Sequence, residues 1–236
     1  MSILLHGDCL NEMKELDDKS IDLIFCDLPY GQTSCKWDFK IDLEKFWIEI
    51  MRIKKLNTPI FMTTTTKFGV DLIISAPKKC PFRYDLVWVK SAPAGFLSAK
   101  KMPMRKHEMV YVFYEKLPYY DLSSHTHKFL NSKNGMKGQD NLCYGSEVKQ
   151  VQNKKYDPPL PTTMLEIKST RGKHSTEKPV ALMEWILKYY SNEGDVVLDP
   201  TMGSGSTGVA CKNMNRNFIG IEMNAEIYEV AVNRIS

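Results

Sequence analysis

The chain has 236 residues, of which 43% are hydrophobic and 25% charged, values typical of a soluble globular domain. No apolar run approaches ~18 residues, and residues 1–15 lack a basic segment followed by a long apolar one, so we expect neither a membrane span nor a signal peptide. The six cysteines form no CxxC pair, which argues against a zinc site and a disulfide framework and predicts a reducing, cytoplasmic environment.

The net charge of +4 is unevenly distributed along the chain. Residues 98–173 carry 14 Lys and Arg against 7 Asp and Glu, a net charge of +7, and the remainder of the chain carries −3. A basic middle section on a mildly acidic scaffold favours a polyanionic partner. A solvated, lysine-rich surface is the alternative that charge alone leaves open.

The first half of the chain alternates strand and helix patterns. We predict strands at residues 3–6, 21–26 and 59–63, and helices at residues 9–16, 43–56 and 68–75. Two further strands, at residues 84–89 and 107–113, are separated by a predicted basic loop at residues 90–106. Two α/β repeats thus give way to consecutive strands, which indicates an α/β sheet.

The second half begins with a long stretch, residues 117–171, that lacks periodicity and predicts an inserted, loop-rich lobe. Order returns at residue 174, where Thr176 is a predicted N-cap with Pro179 in the first helical turn. The remaining predicted elements are a strand at 196–198, a helix to about 214, a strand at 218–221 and a helix at 225–235.

Two short stretches carry the chemistry, and each follows a predicted strand. The first is Asp27-Leu28-Pro29-Tyr30, where an apolar strand stops at a carboxylate and an irregular turn follows. An acid at the carboxyl end of a strand is well placed for chemistry in an open α/β sheet. The second stretch, residues 196–208, repeats this plan with Asp199 and a glycine-rich turn. We predict that the two strand ends lie side by side.

The glycine-rich turn predicts a nucleotide-containing cofactor. Gly203, Gly205 and Gly208 have the spacing of the dinucleotide fingerprint, and Glu222 is placed to accept ribose hydroxyl protons. However, fewer than 30 residues follow the turn, so the sheet must be completed by earlier strands in a circularly permuted order. Asp199 at the strand end also favours a cationic group over a pyrophosphate. These features favour S-adenosylmethionine over NAD, which stays open as the alternative.

With both stretches in place, the chain resembles the amino-group DNA methyltransferases in their β-type motif order, and is most similar to phage and bacterial orphan adenine-N6 enzymes. The motifs that carry the resemblance are residues 7–10, 27–31 and 174–208. The resemblance implies a Rossmann-like α/β sheet for an S-adenosylmethionine-dependent methyltransferase. It implies a catalytic half at 1–116, a target-recognition region at 117–171 and a cofactor-binding half at 172–236.

The resemblance assigns catalysis to the tetrapeptide Asp27, Leu28, Pro29 and Tyr30. The carboxylate of Asp27 and the carbonyl of Leu28 would hold the target amino group, while Tyr30 stacks on the extruded base. Leu28 departs from the family pattern, in which this position is usually proline. The carbonyl is kept, but proline's fixed φ is lost.

The predicted cofactor contacts come from several segments. Asp8 is expected to contact the adenine amino group of the cofactor and also to cap the helix that begins at Cys9. The full predicted set is Asp8, Cys9, Asp27, His174, Ser175, Lys178, Asp199, Thr201, Gly203, Ser204, Gly205, Thr207 and Glu222.

The predicted partner is double-stranded DNA, with a homodimer implied by the resemblance alone and no metal ion. The predicted DNA contacts are Lys90, Lys100, Lys101, Arg105 and Lys106. The predicted reaction is methylation of adenine N6 inside a bacterial or virus-infected cell. Cytosine N4 methylation stays open because it uses nearly the same site, and an NAD-linked oxidoreductase is the alternative from another class. The chain has no Pro-Cys dipeptide, which excludes a cytosine-5 mechanism.

Overall fold

A computed structural model describes residues 1–30, 41–129, 154–169 and 177–236. These residues form two compact units, one of Met1–Tyr120 with Thr163–Ser236 and a second of Asp121–Thr162. The first unit holds an eight-stranded sheet with strand order β1-β10-β9-β2-β3-β5-β4-β8. The second holds a two-stranded antiparallel sheet of β6 (Thr126–Phe129) and β7 (Lys154–Asp157).

The bounds of the main strands and helices follow the sequence patterns closely. The strands of the main sheet are β1 (Ser2–His6), β2 (Leu23–Cys26), β3 (Ile60–Thr64), β4 (Phe82–Ala94), β5 (Arg105–Phe113), β8 (Met164–Leu165), β9 (Val196–Asp199) and β10 (Asn217–Glu222). The helices are α1 (Cys9–Glu12), α2 (Leu43–Ile53), α3 (Thr66–Ser75), α4 (Val180–Tyr190), α5 (Ser206–Asn213) and α6 (Ala225–Ile235), and short 3-10 turns lie at Met13–Glu15 and Phe96–Ser98.

Five neighbouring strands, β1, β10, β9, β2 and β3, are parallel. The predicted adjacency of the two motif-bearing strands is confirmed, since Leu23 pairs with Val197 and Ile24 with Leu198. From this boundary the connection β9-α5-β10 runs towards one edge of the sheet and β2-α2-β3 towards the other. The β2/β9 boundary is therefore the topological switch point, where open α/β sheets form a crevice.

The core lies between the central strands and the helices. Every residue of β2 and β3 is buried, as expected for strands that are covered on both faces. Their apolar side chains pack with residues of the helices, such as Phe46 and Ile50 of α2 and Phe68 of α3. The rigid sheet therefore fixes the backbone immediately before the turn at Asp27.

Three local expectations need correction. The predicted basic loop at 90–106 is too long, because β4 runs to Ala94 and β5 starts at Arg105, so only residues 95–104 form the loop of a long β-hairpin. The predicted helical start is also wrong in position, since Pro179 is the N-cap of α4 rather than a first-turn residue. The third difference is in α1, which ends early and continues as a 3-10 turn.

The predicted lobe at 117–171 overlaps the second compact unit, residues 121–162. Residues 117–120 and 163–169 belong instead to the unit of the main sheet, because Met164 and Leu165 pair with Val87 and Trp88 of β4.

Candidate active site at the switch point

The two predicted stretches meet at the carboxyl ends of β2 and β9. The backbone N–H of Asp27, the residue after β2, donates to the hydroxyl of Thr201, two residues after β9, at 3.3 Å. Asp199 is the last residue of β9 and Glu222 the last residue of β10, the next strand along. Three acids separated by up to 195 residues in sequence thus lie along one edge of the sheet.

The Asp27 carboxylate is held by three donors, one from its own turn, one from β3 and one from the segment before α4. Its Oδ1 atom accepts from the hydroxyl of Tyr30 at 2.8 Å and from the hydroxyl of Thr63 at the end of β3. Its Oδ2 atom accepts from the ammonium of Lys178 at 2.5 Å. The carboxylate is therefore fixed in orientation while its side chain stays 28% exposed.

The turn after Asp27 is anchored by packing. Leu28 is 2% exposed and belongs to the hydrophobic core, so its side chain holds the turn in the absence of the usual proline. The Tyr30 ring packs against Phe68 with 5.2 Å between ring centroids. Burial, reinforced by the Asp27 charge, raises the pKa of Tyr30 well above its usual range, so the phenol stays a donor to Asp27. The role of the Leu28 carbonyl stays a prediction.

Lys178 links Asp27 to a second acid. Its ammonium also lies 3.1 Å from Glu108 of β5, whose other carboxylate oxygen accepts from Lys90 at 2.6 Å. Burial favours a neutral Lys178, but the charges of Asp27 and Glu108 outweigh it and raise the pKa of Lys178, which stays protonated. Lys178 was predicted to contact the cofactor. The structure places it on the Asp27 carboxylate.

The neighbouring residue, Glu177, ties the same segment to the glycine-rich turn. Its carboxylate accepts from Arg234 of α6 at 2.8 Å and from Ser206 at 3.4 Å. Arg234 also donates to the backbone carbonyl of Ser204 at 2.8 Å. Glu177 and Lys178 therefore connect the two halves of the site, because Glu177 contacts Ser206 at the glycine-rich turn and Lys178 contacts Asp27.

The glycine-rich turn leaves open space at the sheet edge. Gly203 has a φ of +51°, and a Cβ added there would meet no atom within 4 Å. Its N–H donates to the Glu222 carboxylate at 3.1 Å, which orients that acid towards the turn. Gly205 has a φ of +82° and lies against Ala231 and Ile235 of α6. The first glycine is open to a ligand, whereas the second serves helix packing.

Asp199 has a mainly internal role. It is 3% exposed, and it accepts from the Thr207 hydroxyl at 2.5 Å and from the Thr201 N–H at 3.1 Å. Burial raises the pKa of Asp199 to about 7, although these two hydrogen bonds oppose the rise. Its predicted attraction for a cationic ligand group stays a prediction, since both oxygens bind groups of the chain itself.

The first strand supplies the outer part of this edge. Asp8 caps α1 by accepting from the Leu10 N–H at 2.8 Å. Cys9 is 9% exposed, and burial raises the pKa of its thiol to about 12. A thiol of this kind is inert, which limits Cys9 to backbone and packing contacts. The predicted residues His174 and Ser175 lie outside the described residues.

The predicted DNA contacts separate into two groups. Lys100, Lys101, Arg105 and Lys106 are exposed on the β4–β5 hairpin, and Arg105 also donates to Thr66 at 3.1 Å. Lys90 differs, because its ammonium pairs with Glu108 and lies 5.1 Å above the Trp88 ring. This geometry fits an ion pair within the protein rather than a contact with DNA.

Two site residues were missed or underrated in the sequence. Glu108 and Thr63 come from different strands and reach Asp27 directly or through Lys178. The sequence offered one indication of these residues, which is that each polar side chain lies at the end of a buried stretch of strand. Which of these segments would be neighbours could not be read from the chain.

Within the described ranges, no three His, Cys, Asp or Glu side chains cluster closely enough to hold a metal ion. No helix in this part of the chain is long and apolar enough to cross a membrane.

Comparison with known proteins assigns the family. Residues 21–233 match the family of N6 and N4 methyltransferases described as DNA methylase. The match spans most of the chain and includes both carboxylate-bearing turns. This protein therefore belongs to the DNA methylase family, in agreement with the resemblance of its motifs.

Curated relatives are similar over nearly the whole chain. Type II methyltransferase M.HinfI of Haemophilus influenzae is 28% identical over 264 residues, covering 100% of this chain and 68% of the relative. DNA adenine methyltransferase YhdJ of Escherichia coli (strain K12) is 27% identical over 245 residues, covering 98% of this chain and 82% of the relative.

Solved structures share the fold. A crystal structure of the M1.HpyAVI–SAM complex aligns over 100% of both chains with a TM-score of 0.69 and 25% identity. The cytosine-N4-specific PvuII DNA methyltransferase aligns over 100% of this chain and 86% of its own, with a TM-score of 0.71 and 14% identity. The predicted Rossmann-like methyltransferase fold is confirmed.

Proposed function

We propose that this DNA methylase transfers a methyl group from S-adenosylmethionine to N6 of an adenine extruded from duplex DNA. The observation that carries the proposal is the Asp27 carboxylate, which three donors fix at the switch point beside the glycine-rich turn. Its action belongs inside a bacterial or virus-infected cell, where the DNA is, and the bacterial relatives support this placement.

Asp27 is suited to hold an amino group that becomes positively charged. A carboxylate has about four lone-pair positions, and three of those on Asp27 accept from Tyr30, Thr63 and Lys178. A remaining position on Oδ2 suits one N–H of the target. The negative charge, held in place before reaction, then stabilises the charge that develops on nitrogen. The extra proton leaves N6 after transfer, so Asp27 need not be a strong base.

The residues at the glycine-rich turn fit S-adenosylmethionine. Gly203 leaves room for close approach to the backbone, and Glu222 is oriented at the end of the next strand to accept ribose hydroxyl protons. Asp8 lies further along the same edge, after β1, where it suits an adenine amino group. When bound, the cofactor supplies a methyl group that bonds to N6 as its bond to sulfur breaks. The adjacency of β9 and β2 sets donor and acceptor sites side by side, as positioning requires.

Tyr30 supports the extruded base. Removing a base from the duplex costs a few kcal/mol, and stacking on an aromatic ring returns roughly 1–3 kcal/mol. The Tyr30 ring is fixed by Asp27 on its hydroxyl and by Phe68 on its side. A ring held in this way needs little further ordering when a base stacks on it.

The experiment is transfer of labelled methyl from S-adenosylmethionine to duplex DNA, followed by digestion to nucleosides. We expect label in N6-methyladenine, and Asp27→Ala to abolish transfer while keeping cofactor binding. Asp17→Ala, at an exposed position, is the control. Label in N4-methylcytosine, or full activity in Asp27→Ala, would contradict the proposal. Sequencing the methylome of a host that expresses the chain gives the target sequence, and light scattering tests the predicted homodimer.

A further inference from the structure

The β4–β5 hairpin projects beyond the edge of the sheet that holds the site. The last pair between β3 and β5 is Thr64 with Met109, and beyond it β5 pairs only with β4, out to Arg105 opposite Ala94. At about 3.3 Å per residue, the strand from Glu108 to Arg105 covers roughly 10 Å, and the tip extends further. Because Glu108 contacts Lys178, the arm starts at the active site and leads away from it.

The tip of the arm combines exposed apolar and basic side chains. Gly95, with a φ of +93°, leads into the 3-10 turn Phe96–Ser98. Phe96 is 82% exposed and Leu97 is 99% exposed, while Lys100 and Lys101, three and four residues after Leu97, are also exposed. Lysines favour a polyanion, and an apolar side chain among them favours a base stack over open water. Proteins that kink or open a duplex insert apolar wedges of this kind between bases.

We propose that Leu97, supported by Phe96, enters the base stack and fills the space that the target adenine leaves. This inference rests on the proposed function, since it requires a duplex from which a base is extruded. The lysines of the tip hold the adjacent phosphates and bring the apolar residues to the groove. The arm keeps the wedge a fixed distance from Asp27, so one docking event aligns the wedge and the catalytic carboxylate.

The test compares Leu97→Ala and Phe96→Ala with Ile74→Ala, a matched loss of an apolar side chain that is 78% exposed on α3. A duplex with 2-aminopurine at the methylated position reports extrusion by fluorescence. We expect extrusion and methyl transfer to slow about tenfold or more in Leu97→Ala, as for loss of an apolar contact to a base. A mismatch opposite the target lowers the cost of extrusion and should reduce this loss.

Equal rates for Leu97→Ala and wild type on matched duplex would overturn the proposal. An equal loss on matched, mismatched and single-stranded DNA would also overturn it, since that pattern indicates a simple binding contact. If wild-type protein methylates no adenine, the proposed function itself fails. Adenine methylation that does not depend on Leu97 would overturn only the proposal that Leu97 enters the base stack.

A second, independent observation concerns the charges around Asp27. Lys178 lies 2.5 Å from Asp27 and 3.1 Å from Glu108, and its side chain is only 12% exposed. Paired with Asp27 alone, this lysine would cancel the negative charge that must stabilise a cationic nitrogen. Glu108, 14% exposed, also pairs with Lys90, so the two acids and two lysines sum to zero, whereas without Glu108 the group around Asp27 would carry +1.

We infer that Glu108 is a positioning residue, which shares the Lys178 ammonium so that Asp27 keeps its charge for the substrate. Glu108→Gln should then lower kcat about tenfold with little change in KM, as loss of a preorganised charge does. Adding Lys178→Met to Glu108→Gln should restore part of the rate, because the uncompensated ammonium is gone. The control is Glu115→Gln, which breaks a remote pair with the buried Lys54 at 2.9 Å.

The pH profile separates this role from a structural one. Besides Lys178, the titratable groups that contact these two acids are Tyr30 on Asp27 and Lys90 on Glu108. In Glu108→Gln, Lys178 loses one of the two charges that raise its pKa, so the rate of this variant should recover as pH rises, unlike wild type. A double variant no faster than Glu108→Gln, or an unchanged profile, would overturn the inference.

Discussion

The turns after β2 and β9 begin with the same plan, a buried strand that ends at an aspartate, but the two aspartates differ in their surroundings. Asp27 keeps 28% of its side chain exposed and accepts from Tyr30 in its own turn and from two distant residues, Thr63 and Lys178. Asp199 is 3% exposed and accepts from Thr201 in its own turn and from Thr207 in the first turn of α5, all within one strand-turn-helix segment.

This difference supports the proposal that Asp27 acts on the substrate, whereas Asp199 shapes its turn. Thr63 and Lys178, both distant in sequence, fix Asp27 together with the nearby Tyr30 and leave the carboxylate partly exposed, as a preorganised catalytic charge requires. The two donors to Asp199, Thr201 and Thr207, hold the glycine-rich loop around its carboxylate. Burying this charge is costly, and no lysine among the described residues lies within hydrogen-bond distance to offset the cost. Similar sequences at neighbouring strand ends therefore predict similar positions but not similar roles.

The largest expected effect is on catalysis at Asp27. Asp27→Asn keeps the shape but removes the charge, so we expect kcat to fall by about 10²–10³-fold. Cofactor affinity, measured by calorimetry, should change little. Comparable activity losses in Asp27→Asn and Asp199→Asn would break the distinction between the two acids.

The second prediction uses the raised pKa of Asp199. Asp199 has a folded pKa of about 7 against an ordinary aspartate value of 3.8, so the native state binds the extra proton between these values. Its contribution to stability is therefore largest below about pH 4 and is lost as pH rises through 7. The full decrease from this group is of order 4 kcal/mol. Asp199→Asn, whose amide can donate to Thr207 and accept from Thr201, should lack this component.

Thermal unfolding of both proteins between pH 5 and 8 measures the difference. Other groups titrate in this range, but they are common to the two proteins. If the melting temperatures of the two proteins change in parallel across this pH range, ionisation of Asp199 does not destabilise the fold as predicted.

The third prediction sharpens the role of the donors to Asp27. Tyr30→Phe removes the phenol that donates at 2.8 Å and keeps the ring. A hydrogen bond to a charged group contributes about 1.5–3 kcal/mol, so the rate should fall roughly 10–100-fold. Tyr30→Ala also loses base stacking and should weaken binding of DNA that carries an extruded base. Equal kinetics for the two variants would remove the stacking role.

The fourth prediction compares two glycines of the Asp199 turn. Gly205→Ala combines a φ of +82° with a Cβ only 2.8 Å from Ile235, so it should destabilise the fold by about 1–3 kcal/mol. At Gly203 an added Cβ meets no neighbouring atom, so Gly203→Ala should destabilise the fold less than Gly205→Ala but weaken cofactor binding more. Denaturant unfolding and calorimetry measure the two effects, and a reversed order would contradict the assigned roles.

The smallest expected effect is on the hairpin. Lys100→Ala and Lys101→Ala should each weaken duplex binding alike across sequences and reduce the salt-dependence slope by about 1. Lys90→Ala should leave the slope unchanged, because Lys90 pairs with Glu108. Filter binding at several salt concentrations measures the slopes. A change of slope in Lys90→Ala would show that Lys90 contacts DNA after all.

Much of the fold was readable from local patterns. Apolar runs that stop at Asp27 and Asp199 predicted two strands, and the short chain after Gly208 predicted a permuted sheet in which these strands are neighbours. The hairpin strands are longer than their patterns predict, because their ends at 90–94 and 105–106 are mostly exposed and show no alternation of apolar and polar types.

The sequence by itself determined the strand ends, the cofactor turn and the tetrapeptide, because each is encoded within about a dozen consecutive residues. Only the tertiary structure decided which groups hold Asp27. Thr63, Lys178 and, through Lys178, Glu108 reach it from three segments whose separation in sequence carries no record of their contact. The charge of a catalytic carboxylate depends on what surrounds it in space, and that environment exists only once the sheet has brought the strand ends together.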